Sequence, residues 1–122
     1  MTWVAETYPE RIVLITDAMA AAGAADGDYI LGTLAVEVRG GVARIAGTDT
    51  IAGSTLTLSK ALSNAVAYGV DPLVAVRAAT IQPARYLSLD AGDLVVGGRA
   101  DAVVLDEAWC VTRVLRRGEW VS

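Results

Sequence analysis

The sequence of 122 residues contains no histidine. That removes the commonest zinc ligand, the commonest general base and every Ser-His or Cys-His relay from what the chain could do by itself. Carboxylates, hydroxyls, lysine and arginine remain. There is one cysteine, Cys110. No internal disulfide is possible, and a reducing compartment is expected. No apolar run approaches the roughly 18 residues of a membrane-spanning helix. The opening MTWVAETYPER lacks the basic start and apolar core of a secretory signal. A cytoplasmic location and no membrane partner are therefore expected. Basic charge is scarce as well: 10 Lys and Arg stand against 14 Asp and Glu, a net charge of −4. That balance argues against a nucleic-acid partner.

Apolar residues are plentiful. They make up 54% of the chain, against a usual share of roughly 45–50%. A domain this small rarely needs so many, which implies surfaces covered by a partner or by a missing part of a larger protein.

The stretch RIVLITDAMAAAG, from Arg11 to Gly23, shows the pattern most sharply. Ile12-Val13-Leu14-Ile15 is a β-branched run without alternation. It suits a strand buried on both faces better than a short core helix. Asp17 stops it. Before it, Thr2 to Arg11 reads as a helix end or a lead-in loop closed by Pro9. Tyr29 to Ile45 reads as an antiparallel pair, with Leu34, Val36 and Val38 alternating against Ala35, Glu37 and Arg39. Gly40-Gly41 supplies the turn. A helix follows, capped by Ser54 or Thr55, with Leu58, Ala61, Leu62 and Ala65 on one face and Gly69 at its end. Asp71-Pro72 opens another helix with Leu73, Val76 and Thr80 in register, and Gln82-Pro83 breaks it. From Asp90 onward Leu94–Val96, Ala102–Leu105 and Val111–Leu115 read as short strands closed by Gly118.

Four segments taken together, VLITDAMAAAG, GTDTIAGSTLTLSKALSNAV, AVRAATIQPARYLSL and GDLVVGGRADAVVLD, resemble the C-terminal third of the N-acetylglucosamine-6-phosphate deacetylases of the amidohydrolase superfamily. The likeness runs from Arg11 to Trp120. Gly92 to Asp106 and the Thr-Asp-Ala after an apolar strand are shared across the superfamily. Thr50 to Ser54 before a helix points to the deacetylases.

The resemblance implies an α/β fold: the C-terminal fragment of a metal-dependent (β/α)8 barrel plus part of a small β-sandwich. Residues 1–89 would carry the last barrel strand (Ile12 to Thr16), a β-hairpin insertion and the last helix. Residues 90–122 would be C-terminal strands of the sandwich. Asp17 would sit at the C-terminal end of a barrel strand, where such barrels place their active sites. By the same resemblance it would take a proton from a metal-bound water and return it to the leaving amine, giving acetate and glucosamine 6-phosphate. A role for Asp17 as a secondary metal ligand is the alternative. Ile51, Ala52 and Gly53 match the family's substrate-contacting backbone, although this chain has Ile where Leu is usual.

The implied cofactor is a divalent metal ion, whose histidine and glutamate ligands cannot lie in this chain. The partners expected are a small amino-sugar phosphate and either a second copy or the missing N-terminal part, and the isolated chain is expected to be inactive. The alternatives are a dihydroorotase-like or aminoacylase-like amidohydrolase, or a non-catalytic remnant serving as an interaction module. Asp26, Asp28, Asp101 and Asp106 read as turn and surface residues. Cys110 reads as a small apolar filler, Arg113, Arg116 and Arg117 as a solvated patch, and Trp3, Trp109 and Trp120 as packing residues.

Overall fold

The computed structural model describes residues 2–121. In chain order the elements are α1 (Thr2–Thr7), β1 (Gly27–Leu31), β2 (Leu34–Arg39), β3 (Val42–Ile45) and β4 (Ile51–Gly53). Then follow α2 (Leu58–Ala67), α3 (Pro72–Ala79), α4 (Ile81–Tyr86), β5 (Ala102–Leu105), β6 (Val111–Arg116) and β7 (Glu119–Val121). Two compact units result. Thr16–Thr57 is one, and the chain on either side of it forms the other. Helices and two antiparallel sheets make this a mixed α/β chain.

The Thr16–Thr57 unit is a meander with strand order β1-β2-β3-β4. Its second turn is Gly40-Gly41, with φ of 57° and 73°. A two-residue hairpin turn that matches strand twist needs positive φ at both central positions, which glycine meets without strain. The turn fixes the register Arg39↔Val42 and Val38↔Ala43. Alternation then sends Val36 and Val38 to one face, where each is 1% exposed, and Arg39 to the other. On the buried face Val36, Val38, Ala43 and Ala21 form a small core, with Met19, Tyr29 and Ala52 packed on it. On the open face Arg39 bonds Asp28 at 2.8 Å. The expected antiparallel pair is thus present, extended to four strands.

In the flanking unit the core is helical: Ala5, Leu62, Ala65, Val70 and Ala75, with Leu105 and Trp109 against it. The α2 face is as expected, for Ala61, Leu62 and Ala65 are buried. Its start is not. The helix begins at Leu58, and neither Ser54 nor Thr55 caps it. Ser54 Oγ accepts from the Leu56 amide at 3.1 Å, while the Thr55 hydroxyl donates to the Gly41 carbonyl.

Asp71 does cap α3, accepting from the Leu73 and Val74 amides at 2.9 and 3.1 Å, with Pro72 in the first turn. The buried stripe of α3 is Ala75 and Ala78 rather than Leu73, Val76 and Thr80. Small side chains let helices approach closely, and Leu73 in the first turn stays exposed. Pro83 lies inside α4, where its first-turn position leaves no lost amide bond.

Two expected strands are absent. Ile12–Ile15 runs extended but belongs to no ladder, and among the described residues its backbone makes one bond, from the Leu14 amide to the Ala78 carbonyl at 2.9 Å. Ile12 and Leu14 lean on the helical core while Val13 and Ile15 face outward. Leu94–Val96 is likewise irregular and exposed. A strand needs a neighbour for its amides and carbonyls, and these segments have none among the described residues.

β5, β6 and β7 form an antiparallel sheet in sequence order. β7, not foreseen, follows a tight Arg117-Gly118 turn with both residues at positive φ. Arg113 stacks 3.7 Å from the Trp120 ring centroid, so this arginine is partnered rather than merely solvated. Cys110 is exposed, which corrects its reading as a filler. Of the tryptophans, Trp109 packs on the core, while Trp3 and Trp120 are largely exposed.

Candidate functional site

Asp17 ends the extended segment at a φ of 51°. This left-handed conformation costs most residues roughly 1–2 kcal/mol, and aspartate is one of the few that visit it routinely. It turns the chain, so that Ala18 forms a parallel bridge with Ser54 and the Met19 amide donates to the Ser54 carbonyl at 2.9 Å. The residue after Asp17 is therefore paired with the residue after Gly53. In this way the structure brings the four candidate residues, Asp17, Ile51, Ala52 and Gly53, to one edge of the Thr16–Thr57 unit.

β4 is shaped for this edge. Its register on β3 is Ala43↔Gly53 and Arg44↔Ile51, which leaves Ala52 as an extra, unpaired residue. Such a bulge kinks a strand and re-aims its side chains. Ala52 turns to the core, while Ile51 is 69% exposed. On the other side, Asp17 is exposed and, among the described residues, nothing bonds to its carboxylate.

The chain after β4 is held by the β2–β3 turn. The Asp26 carboxylate accepts from the Gly40 amide and, at 3.0 Å, from the Gly41 amide, and the Thr55 hydroxyl reaches the Gly41 carbonyl. Asp26 is thus a turn residue, as expected. Asp101 and Asp106 are too. Asp101 accepts from the Arg117 amide at 2.7 Å and pairs with Arg99, while Asp106 accepts from the Ala108 and Cys110 amides. The sequence reading missed Met19 and Thr55 as parts of this edge. The signal for Met19 was its nearness in sequence, for it lies two residues beyond Asp17.

Among the described residues no three His, Cys, Asp or Glu side chains come together in a way that could hold a metal ion. The described residues do not by themselves make up a metal site, and Asp17 stands among them as a lone carboxylate. A shallow depression of about 440 Å³ lies on the β6–β7 hairpin, lined by Arg116, Arg117, Glu119, Trp120 and Val121. It contains none of the candidate residues. Among the described residues no helix is long and apolar enough to cross a membrane.

The chain is 45% identical over 93% of its length to N-acetylgalactosamine-6-phosphate deacetylase of Escherichia coli O157:H7, covering 30% of that protein. It is 38% identical over 93% of its length to N-acetylglucosamine-6-phosphate deacetylase of Rattus norvegicus, covering 29%. Among solved structures it resembles N-acetyl-D-glucosamine-6-phosphate deacetylase from Mycobacterium smegmatis, an aspartate-to-alanine mutant in complex with N-acetyl-D-glucosamine 6-phosphate. The TM-score is 0.87 at 51% identity, over 98% of this chain and 33% of that one. The chain thus spans about a third of the length of these relatives. The pattern of the Amidohydrolase family matches residues 33–121. With a family match over most of its residues, the chain belongs to the amidohydrolase family.

Proposed function

We propose that this chain is the C-terminal part of a deacetylase that hydrolyses N-acetylglucosamine 6-phosphate to glucosamine 6-phosphate and acetate. The observation that carries the reading is the pairing of Ala18 with Ser54, which brings Asp17 to the same edge as Ile51, Ala52 and Gly53. A carboxylate beside exposed backbone suits hydrolysis of an amide on a sugar. Asp17 takes a proton from the attacking water as oxygen bonds to the acetyl carbon. It then delivers that proton to the nitrogen as the carbon–nitrogen bond breaks. The backbone of residues 51–53 orients the sugar.

The names of the relatives support this substrate class, and the galactosamine 6-phosphate isomer is the second reading, because a relative 45% identical bears that name. The M. smegmatis relative with an aspartate replaced by alanine holds N-acetyl-D-glucosamine 6-phosphate.

In this reading residues 1–89 are the C-terminal portion of a barrel, with Ile12 to Thr16 its last strand, and residues 90–122 belong to a β-sandwich. The amidohydrolase family is generally metal-dependent. Any metal ligands would come from the earlier strands of such a barrel, and the role given to Asp17 does not depend on which metal they hold. Cytoplasmic action fits the single, exposed Cys110.

The test adds a polypeptide carrying the earlier barrel strands in trans and measures acetate release from both sugar phosphates. Turnover is expected from the pair and not from this chain alone. Asp17→Asn should lower it about 10²–10⁴-fold, the usual worth of a positioned acid–base group. Turnover unchanged in Asp17→Asn would remove the assignment.

A further inference from the structure

Gly53 is a glycine for a reason that its own backbone does not supply. Its φ is not among the positive ones, so other residues could adopt its conformation. What it lacks is room. A Cβ there would lie 3.3 Å from both Cβ and Sδ of Met19 and 3.4 Å from its Cγ. Met19 would have to give by a few tenths of an ångström. It is half-buried and packs on Ala21, Val36, Val38 and Ala43, each 1% exposed, while its amide is tied to the Ser54 carbonyl at 2.9 Å. Its side chain lies between this core and the backbone of Gly53.

From this we infer that Met19 is a positioning residue: its side chain, seated on Gly53, sets the spacing between Asp17 and the Ile51–Gly53 strand. Asp17 is two residues away on a chain that the Ala18–Ser54 bridge keeps from swinging freely. Proton transfer works only within hydrogen-bond reach, and a displacement of about 1 Å can cost about a hundredfold in rate. Methionine fits the task, since a flexible, polarizable thioether adapts to an irregular gap.

The kinetic part of this inference rests on the deacetylase reading. Four variants test it in the chain supplied with its missing barrel part: Gly53→Ala, Met19→Ala, the two combined, and Met19→Leu. Turnover of N-acetylglucosamine 6-phosphate is followed in all four, and the ¹³C carboxyl resonance of Asp17 is followed in the chain itself. Gly53→Ala should lower kcat about tenfold with KM little changed, and Met19→Ala should lower it by a smaller factor. The double variant should exceed Gly53→Ala, because the added methyl occupies space that Met19 vacates; contacting residues are non-additive in this way. Met19→Leu should stay within about threefold of the parent, as a near-isosteric exchange.

A loss in Gly53→Ala that falls on KM and persists in the double variant would mean that the methyl meets the sugar instead, and would overturn the inference. If the parent pair shows no turnover, the deacetylase reading fails and the resonance decides alone. A shift in both single variants that returns in the double upholds the role of Met19, and an unmoved resonance sinks it.

Discussion

The Thr16–Thr57 unit and the chain that flanks it use apolar residues differently. In the first, each strand finds its partner within a few residues, and Val36, Val38 and Ala43 are buried in a small core, although Ile30 and Ile51 stay exposed. In the second, the helices close a core of their own, yet Ile12–Ile15 and Leu94–Val96 remain unpaired, with Ile15 74% exposed. Apolar residues are plentiful in both places. What differs is the sequence distance to a partner: hairpins complete themselves, whereas a strand of a parallel sheet needs neighbours that arrive by long crossover connections.

That comparison is open to attack. The largest effect on folding stability should come from Val38→Ala, which removes buried methyl groups from this small core and should cost about 2 kcal/mol. Ile15→Ala in the same chain should stay within about 0.5 kcal/mol, since it alters an outward-facing residue. Equal losses in urea titrations of the two variants would erase the distinction between paired and unpaired regions.

A smaller effect is expected in the flanking helices. Asp71→Ala leaves the Leu73 and Val74 amides without their acceptor and should cost about 1 kcal/mol, with loss of helical circular dichroism on heating at a lower temperature. Asp71→Asn should restore most of it.

The smallest concerns pH. The Arg117 amide, with help from Arg99, holds the Asp101 carboxyl below its ordinary 3.8, against a weaker opposing push from desolvation. A carboxyl depressed by folding contributes its stability fully above the unfolded value and loses it as pH falls through the folded one. The β5–β7 sheet should therefore loosen slightly below about pH 4, the ordinary carboxylate range. In Asp101→Asn this part of the acid response should be missing, as read from amide exchange at Arg117.

Much of this architecture was legible in the sequence where the cause is local. Gly40-Gly41 between alternating residues gave the hairpin, and Asp71-Pro72 gave the start of α3. Alanine and leucine spacing gave the buried face of α2. The likeness of residues 11–120 to a known enzyme family was legible as well, and it directed attention to Asp17, Ile51, Ala52 and Gly53. The features that escaped notice depend on contacts distant in sequence. Thr55 looked like a helix cap but bonds to Gly41. Ala52 became the odd residue of a bulge only through the register of β4 on β3. Ile12–Ile15 has the apolar composition of a strand, yet among the described residues it joins no ladder.

The placement of the tryptophans has a practical consequence. Trp109 sits in the helical core and Trp120 under Arg113, and Trp3 lies in α1. All three belong to the flanking chain, whereas Thr16–Thr57 has no tryptophan and a single tyrosine, Tyr29. Indole fluorescence thus watches one region and is blind to the region that carries Asp17. A thermal melt followed at both indole emission and backbone ellipticity would show directly whether the two parts come apart together or one at a time.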